Sequence, residues 1–379
     1  MKKTLLTICL VWMCFSLSAQ KIIDLSGKWS FSIDRQDNGE KEKWFSHTLN
    51  DFINLPGSMP EKLKGDEVTA KTQWTGSLYD SSYYYNPYME KYRKEGNIKF
   101  PFFLTPDKHY VGAAWYQKEV NIPADWKGER ILLFLERPHI ETTVWVNGQK
   151  TGMQNSLCVP HQYDITHYVR PGKCTITIRV DNRIKEINVG PDSHSITDQT
   201  QGNWNGIVGR ICLQTTPKTY FDDIQIYPEP EQKLARVKVV IKGTGTAKVK
   251  LSAESFNTDK KHIVPAIQQE IKLNKGVTET EMVLPMGNDM LLWDEFHPAL
   301  YKLKAEVTNG KKTEIKEIQF GMRRFEIKGK WFYVNGRKTQ LRGTVENCDF
   351  PLTGYAPMDV ESWERVFRCL LYTSDAADD

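Results

Sequence analysis

Apolar and polar positions alternate along most of the chain. Thr175-Ile176-Thr177-Ile178-Arg179-Val180 puts every second side chain on one face, the period of a half-buried strand. Ile131-Leu132-Leu133-Phe134-Leu135 is apolar throughout and suits a strand covered on both faces. Val144-Trp145-Val146 runs into Asn147-Gly148, and Asn-Gly supplies the positive φ angles of a tight hairpin. Short strands with such turns continue from about residue 22 to about residue 345, the pattern of a β-sandwich rather than a helical fold.

A boundary is expected near Thr216-Pro217-Lys218, followed by a second β region of about a hundred residues, the size of an immunoglobulin-like sandwich. Within it Val237-Lys238-Val239, Ala247-Lys248-Val249-Lys250-Leu251, Tyr301-Lys302-Leu303-Lys304-Ala305 and Ile315-Lys316-Glu317-Ile318 alternate, with Lys and Glu facing water. After Phe320 the pattern changes. Trp331-Phe332-Tyr333-Val334 leads to a second Asn-Gly turn at Asn335-Gly336, and a strand through Leu341-Arg342 follows. Asp359 can then cap a helix carrying Val360, Trp363, Phe367 and Leu370 on one face. Strand, loop, helix is the first unit of an α/β fold. The segment 73–112 holds Trp74, Tyr79, Tyr83, Tyr84, Tyr85, Tyr88 and Tyr92 without a clear period. It reads either as a loop over a sugar site or, the preferred reading, as a surface excursion packed on its own sandwich.

Composition adds constraints. The 379 residues carry a net charge of +4 with both signs mixed, which is no electrostatic footprint for nucleic acid. Lys2 and Lys3, the apolar run Leu5–Leu17 and Ser18-Ala19 form an export leader, too short to anchor a membrane, so a soluble periplasmic or secreted product is expected. Of seven cysteines, Cys9 and Cys14 lie in the leader and Cys369 in the tail. No Cys/His cluster points to a metal, free thiols are expected, and Cys158–Cys174 is the one bridge considered.

Several segments, taken together in order, resemble glycoside hydrolase family 2. They are Leu25-Ser26-Gly27-Lys28-Trp29-Ser30-Phe31, Leu55-Pro56-Gly57, Ala114-Trp115-Tyr116-Gln117-Lys118 with Ile122-Pro123, and Val144-Trp145-Val146-Asn147-Gly148. Trp204-Asn205-Gly206-Ile207 with Arg210, Leu292-Trp293, Pro298-Ala299-Leu300-Tyr301 and Phe320-Gly321-Met322-Arg323 follow, then Val334-Asn335-Gly336 and Leu341-Arg342-Gly343.

The resemblance implies a mainly β chain: a jelly-roll sugar-binding domain, an immunoglobulin-like β-sandwich, then the first strand–loop–helix of an incomplete (β/α)8 barrel. The corresponding spans are 1–19 for the leader, 20–217, 218–319 and 320–368. It also implies a retaining exo-β-glycosidase acting on an oligo- or polysaccharide. Such an enzyme works through two carboxyl groups about 5–5.5 Å apart. A barrel takes roughly 250 residues, yet fewer than sixty follow Phe320. Neither glutamate motif of the family is present, so no catalytic residue is assigned and the chain itself is expected to be inactive. Residues 369–379, Cys369 to Asp379, resemble a translated sequencing adapter, and the natural sequence is expected to end near Arg368.

Two places are candidates for substrate contact. Asp181-Asn182 ends a strand where galactosidases of the family carry an Asp that lines the active site or holds a cation; an ordinary turn role weighs equally. Such a cation belongs to the full-length enzyme, and no cofactor is assigned to this chain. Glu346, Asn347 and Asp349 sit in the first barrel loop, where active-site residues gather. Galactosidases often have Asn-Arg-His-Glu there, whereas this chain has Val345-Glu346-Asn347-Cys348. Glucuronidase and mannosidase specificities therefore stay open, and so does a non-catalytic carbohydrate-binding protein.

Overall fold

The structure is a computed structural model that describes residues 21–75, 85–99, 102–185, 198, 202–341, 343, 345 and 349–375. The leader, part of the tyrosine-rich segment, Glu346, Asn347 and Cys348 lie outside the described residues. The chain is mainly β and divides into two compact units, one of residues 22–215 with 343–379, the other centred on 216–342.

The first unit contains β1 (Ile22–Asp24), β2 (Gly27–Asp34), β3 (Asp51–Leu55), β4 (Gly57–Ser58), β5 (Asp66–Glu67), β6 (Lys108–His109) and β7 (Ala113–Ile122). It continues with β8 (Arg130–His139), β9 (Glu141–Val146), β10 (Gln149–Asn155), β11 (His161–Asp164), β12 (Gly172–Asp181) and β13 (Gly206–Thr216). One sheet runs β1-β13-β8-β11, with β4 also on β13; the other runs β10-β9-β12-β7-β2-β3. A single core between them takes Trp29, Phe31 and Tyr116 from one sheet and Leu133, Leu135 and Leu213 from the other.

The Asn147-Gly148 turn forms as expected, at φ 50° and 78°. The reading of 175–180 as half-buried needs correction. Residues Ile176–Asp181 are buried on both faces. Their even-numbered side chains face the core. The odd-numbered face is roofed by residues 35–49, whose Trp44, Phe45 and Leu49 pack on Trp115 and Trp145. Asp34 pins this roof by accepting from the backbone N–H groups of Asn38 and Gly39, both at 2.8 Å, and from the Trp115 indole at 3.0 Å.

Asn205 bolts the two sheets together. Its amide donates at 3.0 Å to the carbonyls of Gly112 and of Val180 in β12, and its oxygen accepts from the Tyr116 hydroxyl of β7 at 2.7 Å. Gly206, beside it, pairs with Ser58 of β4. A Cβ on Gly206 would lie 2.4 Å from the Gly57 carbonyl oxygen. The Leu55-Pro56-Gly57 and Trp204-Asn205-Gly206-Ile207 segments are thus two halves of one close backbone approach, which only glycine permits.

The second unit contains β14 (Tyr220–Glu229), β15 (Leu234–Phe256), β16 (Ile263–Pro285), β17 (Leu300–Asn309) and β18 (Lys312–Phe320). Laid flat, a 23-residue strand such as β15 would run roughly 75 Å. The ladder shifts register between Gly243 and Gly245, and both halves of β15 share one core, with Val237 and Val239 in the same cluster as Val249 and Leu251. Outward Lys–Glu pairs cross the sheet, among them Lys238–Glu279 at 2.8 Å.

Then come β19 (Phe325–Lys328), β20 (Trp331–Val334) and β21 (Arg337–Thr339), joined through the Asn335-Gly336 turn. The strand expected through Leu341-Arg342 ends earlier, at Thr339; Leu341 belongs to no strand, and Arg342 lies outside the described residues. Met322 is fully buried, because it joins the second core and bridges to Leu292. Phe325 and Trp331 stay exposed.

Helix α1 (Val360–Asp375) is capped as expected: the Asp359 carboxylate accepts from the Ser362 N–H at 2.7 Å and from its hydroxyl at 3.0 Å. Val360 and Phe367 on its apolar stripe face solvent, while Trp363 stacks on Phe367. No helix among the described residues is long and apolar enough to cross a membrane. Cys158, Cys174 and Cys212 are free thiols, so the bridge considered between Cys158 and Cys174 does not form.

Replacing Asn205 with Leu keeps the branched outline of the side chain but strands the Tyr116 hydroxyl and two carbonyls. We expect a loss of about 2–4 kcal/mol, read as a lower urea midpoint at constant slope. A loss well under 1 kcal/mol would show that the amide does not join the sheets.

Candidate functional site

Asp181 and Asn182 end β12, and both are fully buried. The period of the strand sends Thr175, Thr177, Arg179 and Asp181 to its odd-numbered face. At the Asp181 end this creates a six-member charge network. Asp181 accepts from Arg183 Nη2 at 2.6 Å, Lys185 Nζ at 2.8 Å and Arg179 Nη2 at 3.1 Å. Asp37 accepts from Arg179 and Arg183, and Glu141 from Lys185 and Arg179. Burial by itself would raise the Asp181 pKa, but hydrogen bonds from Arg183 and Lys185 hold it far below the carboxylate range. Three acids balance three bases, so the network is satisfied internally.

That arrangement bears on cation binding. Both Asp181 oxygens already accept from the arginines and Lys185. Among the described residues no three His, Cys, Asp or Glu side chains converge as a metal site. The donor set at Asp181 therefore does not fit a cation, and no step is derived through one.

Asn182 is engaged with the backbone. Its amide donates to the Tyr110 carbonyl at 2.8 Å, its side-chain oxygen accepts from the Gly112 N–H at 2.8 Å, and its own carbonyl accepts from Asn203. Asp349 is half-buried, with Oδ1 out of solvent and without a partner. Glu346 and Asn347, expected beside it, lie outside the described residues.

Sequence reasoning did not single out the contacts that hold the loop after Asp349. The Ser58 hydroxyl donates to the Thr353 carbonyl at 2.5 Å, and the Tyr355 hydroxyl donates to Glu61 Oε2 at 2.9 Å. Tyr355 also packs on Trp204 at 5.4 Å, and the opposing partner of Trp204 is His139, stacked at 4.5 Å and 15°. The signal for Trp204 was present in its Trp-Asn-Gly-Ile segment. His139, Ser58 and Glu61 carry no motif, and only the fold brings them to this loop. Residues 22–215 thus fix a segment some 150–300 positions later in the chain.

His139 Nε2 and Asn203 Oδ1 are buried without a conventional hydrogen-bond partner. Burial, and then the charge of Arg137, push the His139 pKa down to about 3. Burial likewise pushes His161 down to about 4, with its Nδ1 against the Thr142 hydroxyl at 2.6 Å. Both imidazoles are neutral structural groups at neutral pH.

Comparison with known proteins completes the picture. The family profile described as "Glycosyl hydrolases family 2, sugar binding domain" matches residues 22–217, more than half of the chain. The profile "Glycosyl hydrolases family 2" matches residues 219–323. The chain belongs to glycosyl hydrolase family 2. Among curated relatives, a β-glucuronidase of Paenibacillus borealis is 23% identical over 88% of this chain and 51% of its own length. The β-galactosidase large subunit of Latilactobacillus sakei is 23% identical over 90% of this chain and 52% of its own. The solved β-glucuronidase from Ruminococcus gnavus in complex with D-glucaro-d-lactam superposes with a TM-score of 0.65 at 19% identity, covering 94% of this chain and 54% of that one. This family 2 chain spans about half the length of the curated relatives it matches.

The two histidines set the acid sensitivity. Between pH 6.5 and about 4 the unfolded chain binds protons that the folded chain refuses, so stability falls as pH drops through that window, by up to about 1.4 kcal/mol per unit per histidine. Asp181 acts lower down: its contribution is complete above the unfolded carboxylate pKa of about 3.9 and is lost below it. Urea midpoints from pH 7.5 to 4.5 should decline, and His139→Phe with His161→Phe should flatten that decline. An unchanged slope in the double variant would contradict the assignment.

Proposed function

We propose that this chain carries the accessory domains and the barrel opening of a retaining exo-β-glycosidase that removes a β-linked sugar from an oligo- or polysaccharide. On this reading residues 1–19 are an export leader that directs the product to the periplasm or beyond, 20–217 form a jelly roll, 218–319 an immunoglobulin-like sandwich, and 320–368 open the (β/α)8 barrel. The observation that carries the reading is the clamp of Ser58, Glu61 and Trp204 on residues 353–355. A free-standing sugar-binding module has no use for a loop held in this way at the start of a helix. The loop so fixed carries Asp349 and follows directly on Glu346 and Asn347, which we assign to substrate hydroxyls; Asp181 and Asn182, buried and bonded within the unit, hold the frame behind them. Both β-glucuronidases and β-galactosidases stand among the relatives, so either a β-glucuronide or a β-galactoside fits as substrate.

The carboxyl pair needed for retaining hydrolysis is not assigned to any residue of this chain, and we infer that the chain alone does not turn over. Incubation with a panel of nitrophenyl β-glycosides, including the glucuronide and the galactoside, should release no nitrophenol above background. Release of nitrophenol that scales with protein concentration would refute the inference and place a catalytic pair within these 379 residues.

A further inference from the structure

The roofed face of the second sheet holds a feature that the hydrolase reading does not use. A pocket of about 290 Å³ opens beside the Asn147-Gly148 hairpin, lined by Phe45, His47, Thr48, Gln117, Asn147 and Thr175. Its size sits at the lower end of small-molecule sites. No Asp, Glu, Lys or Arg lines it.

The frame of the pocket is fixed. The Gln117 amide donates to the His47 carbonyl at 3.1 Å and to the Thr177 hydroxyl at 3.2 Å. Asn147 donates to the Tyr168 carbonyl and accepts from the Thr175 N–H at 2.9 Å, which locks the hairpin rim. Phe45 lies flat on Trp145, with centroids 5.1 Å apart and planes within 6°. Ser46, His47 and Thr48 project exposed side chains around this frame. The arrangement offers one rigid aromatic wall and several short neutral donors and acceptors. That chemistry suits a ring with an apolar C–H surface and a rim of hydroxyls, and it sets no Lys or Arg against a carboxylate or phosphate.

The pocket is distinct from the candidate site. Thr175 precedes Asp181 by six residues on β12, about 20 Å along the strand. We propose that this pocket is a second saccharide-binding site, taking a neutral pyranose unit of a longer glycan. Its place on the face away from the core leaves it open to one sugar of a longer chain. The proposal stands on the pocket alone and does not need the chain to hydrolyse anything.

The test is calorimetric titration of the chain with neutral gluco-, galacto- and manno-configured β-linked oligosaccharides, and with glucuronate beside glucose. At least one neutral saccharide should bind in the millimolar range or tighter. His47→Ala with Thr48→Ala should weaken that binding by roughly tenfold or more, as expected for two lost neutral hydrogen bonds. Ser46→Trp, which fills the pocket from an exposed position, should abolish it. Near-UV circular dichroism of both variants should match the parent, reporting an intact Trp44–Phe45–Trp115–Trp145 stack. Absence of binding by every neutral saccharide at millimolar concentration overturns the proposal. So does binding that survives Ser46→Trp, or a clear preference for the uronate. None of these outcomes touches the turnover assay, so the two readings fail separately.

Discussion

The Asn205 side chain is the constraint on which the N-terminal unit depends. Two sheets of a sandwich touch through apolar side chains that fix their spacing but not their register. One buried amide, bonded to the Gly112 and Val180 carbonyls and to the Tyr116 hydroxyl, fixes the register. Asn182 grips the same stretch from the other side through Tyr110 and Gly112. Each bond is modest by itself, but a buried polar group without its partner costs more than the bond gains. A shift of β13 by one residue would break several bonds at once.

The same junction positions the candidate site. Asn203, Trp204 and Asn205 are consecutive, so the segment that joins the sheets also presents the Trp204 ring between His139 and Tyr355. Gly206 brings β4 close enough for Ser58 and Glu61 to reach Thr353 and Tyr355. The loop is therefore held by residues that are themselves packed and hydrogen-bonded at the junction of the sheets. Holding a site on well-packed elements is how a scaffold keeps geometry that a free loop would lose.

Two stretches of β12 have divided roles. At one end Arg179, Arg183 and Lys185 neutralise Asp37, Glu141 and Asp181 in a closed set. Around Thr175, by contrast, no Asp, Glu, Lys or Arg lines the pocket, and an aromatic wall borders short polar groups. The roof of residues 35–49 serves both: Asp37 completes the charged network, and Phe45 completes the neutral pocket. Asp34 makes this possible by holding Asn38, Gly39 and Trp115 together.

The alternation of apolar residues, both Asn-Gly turns, the Asp359 cap and the two β regions could be read in the sequence, because each depends on neighbours within a few positions. The family was legible too, since its segments mark close approaches such as Gly57 against Gly206 that tolerate little substitution. The tertiary structure alone decided the rest. The Thr175–Val180 pattern looks half-buried until residues from 35–49 fold over it. Asp181 looks like a free carboxylate until three basic side chains close on it. His139 looks like any histidine until Trp204 stacks against it. In each case the deciding partner is distant along the chain or set by strand register, and local periodicity carries no information about which distant residue arrives.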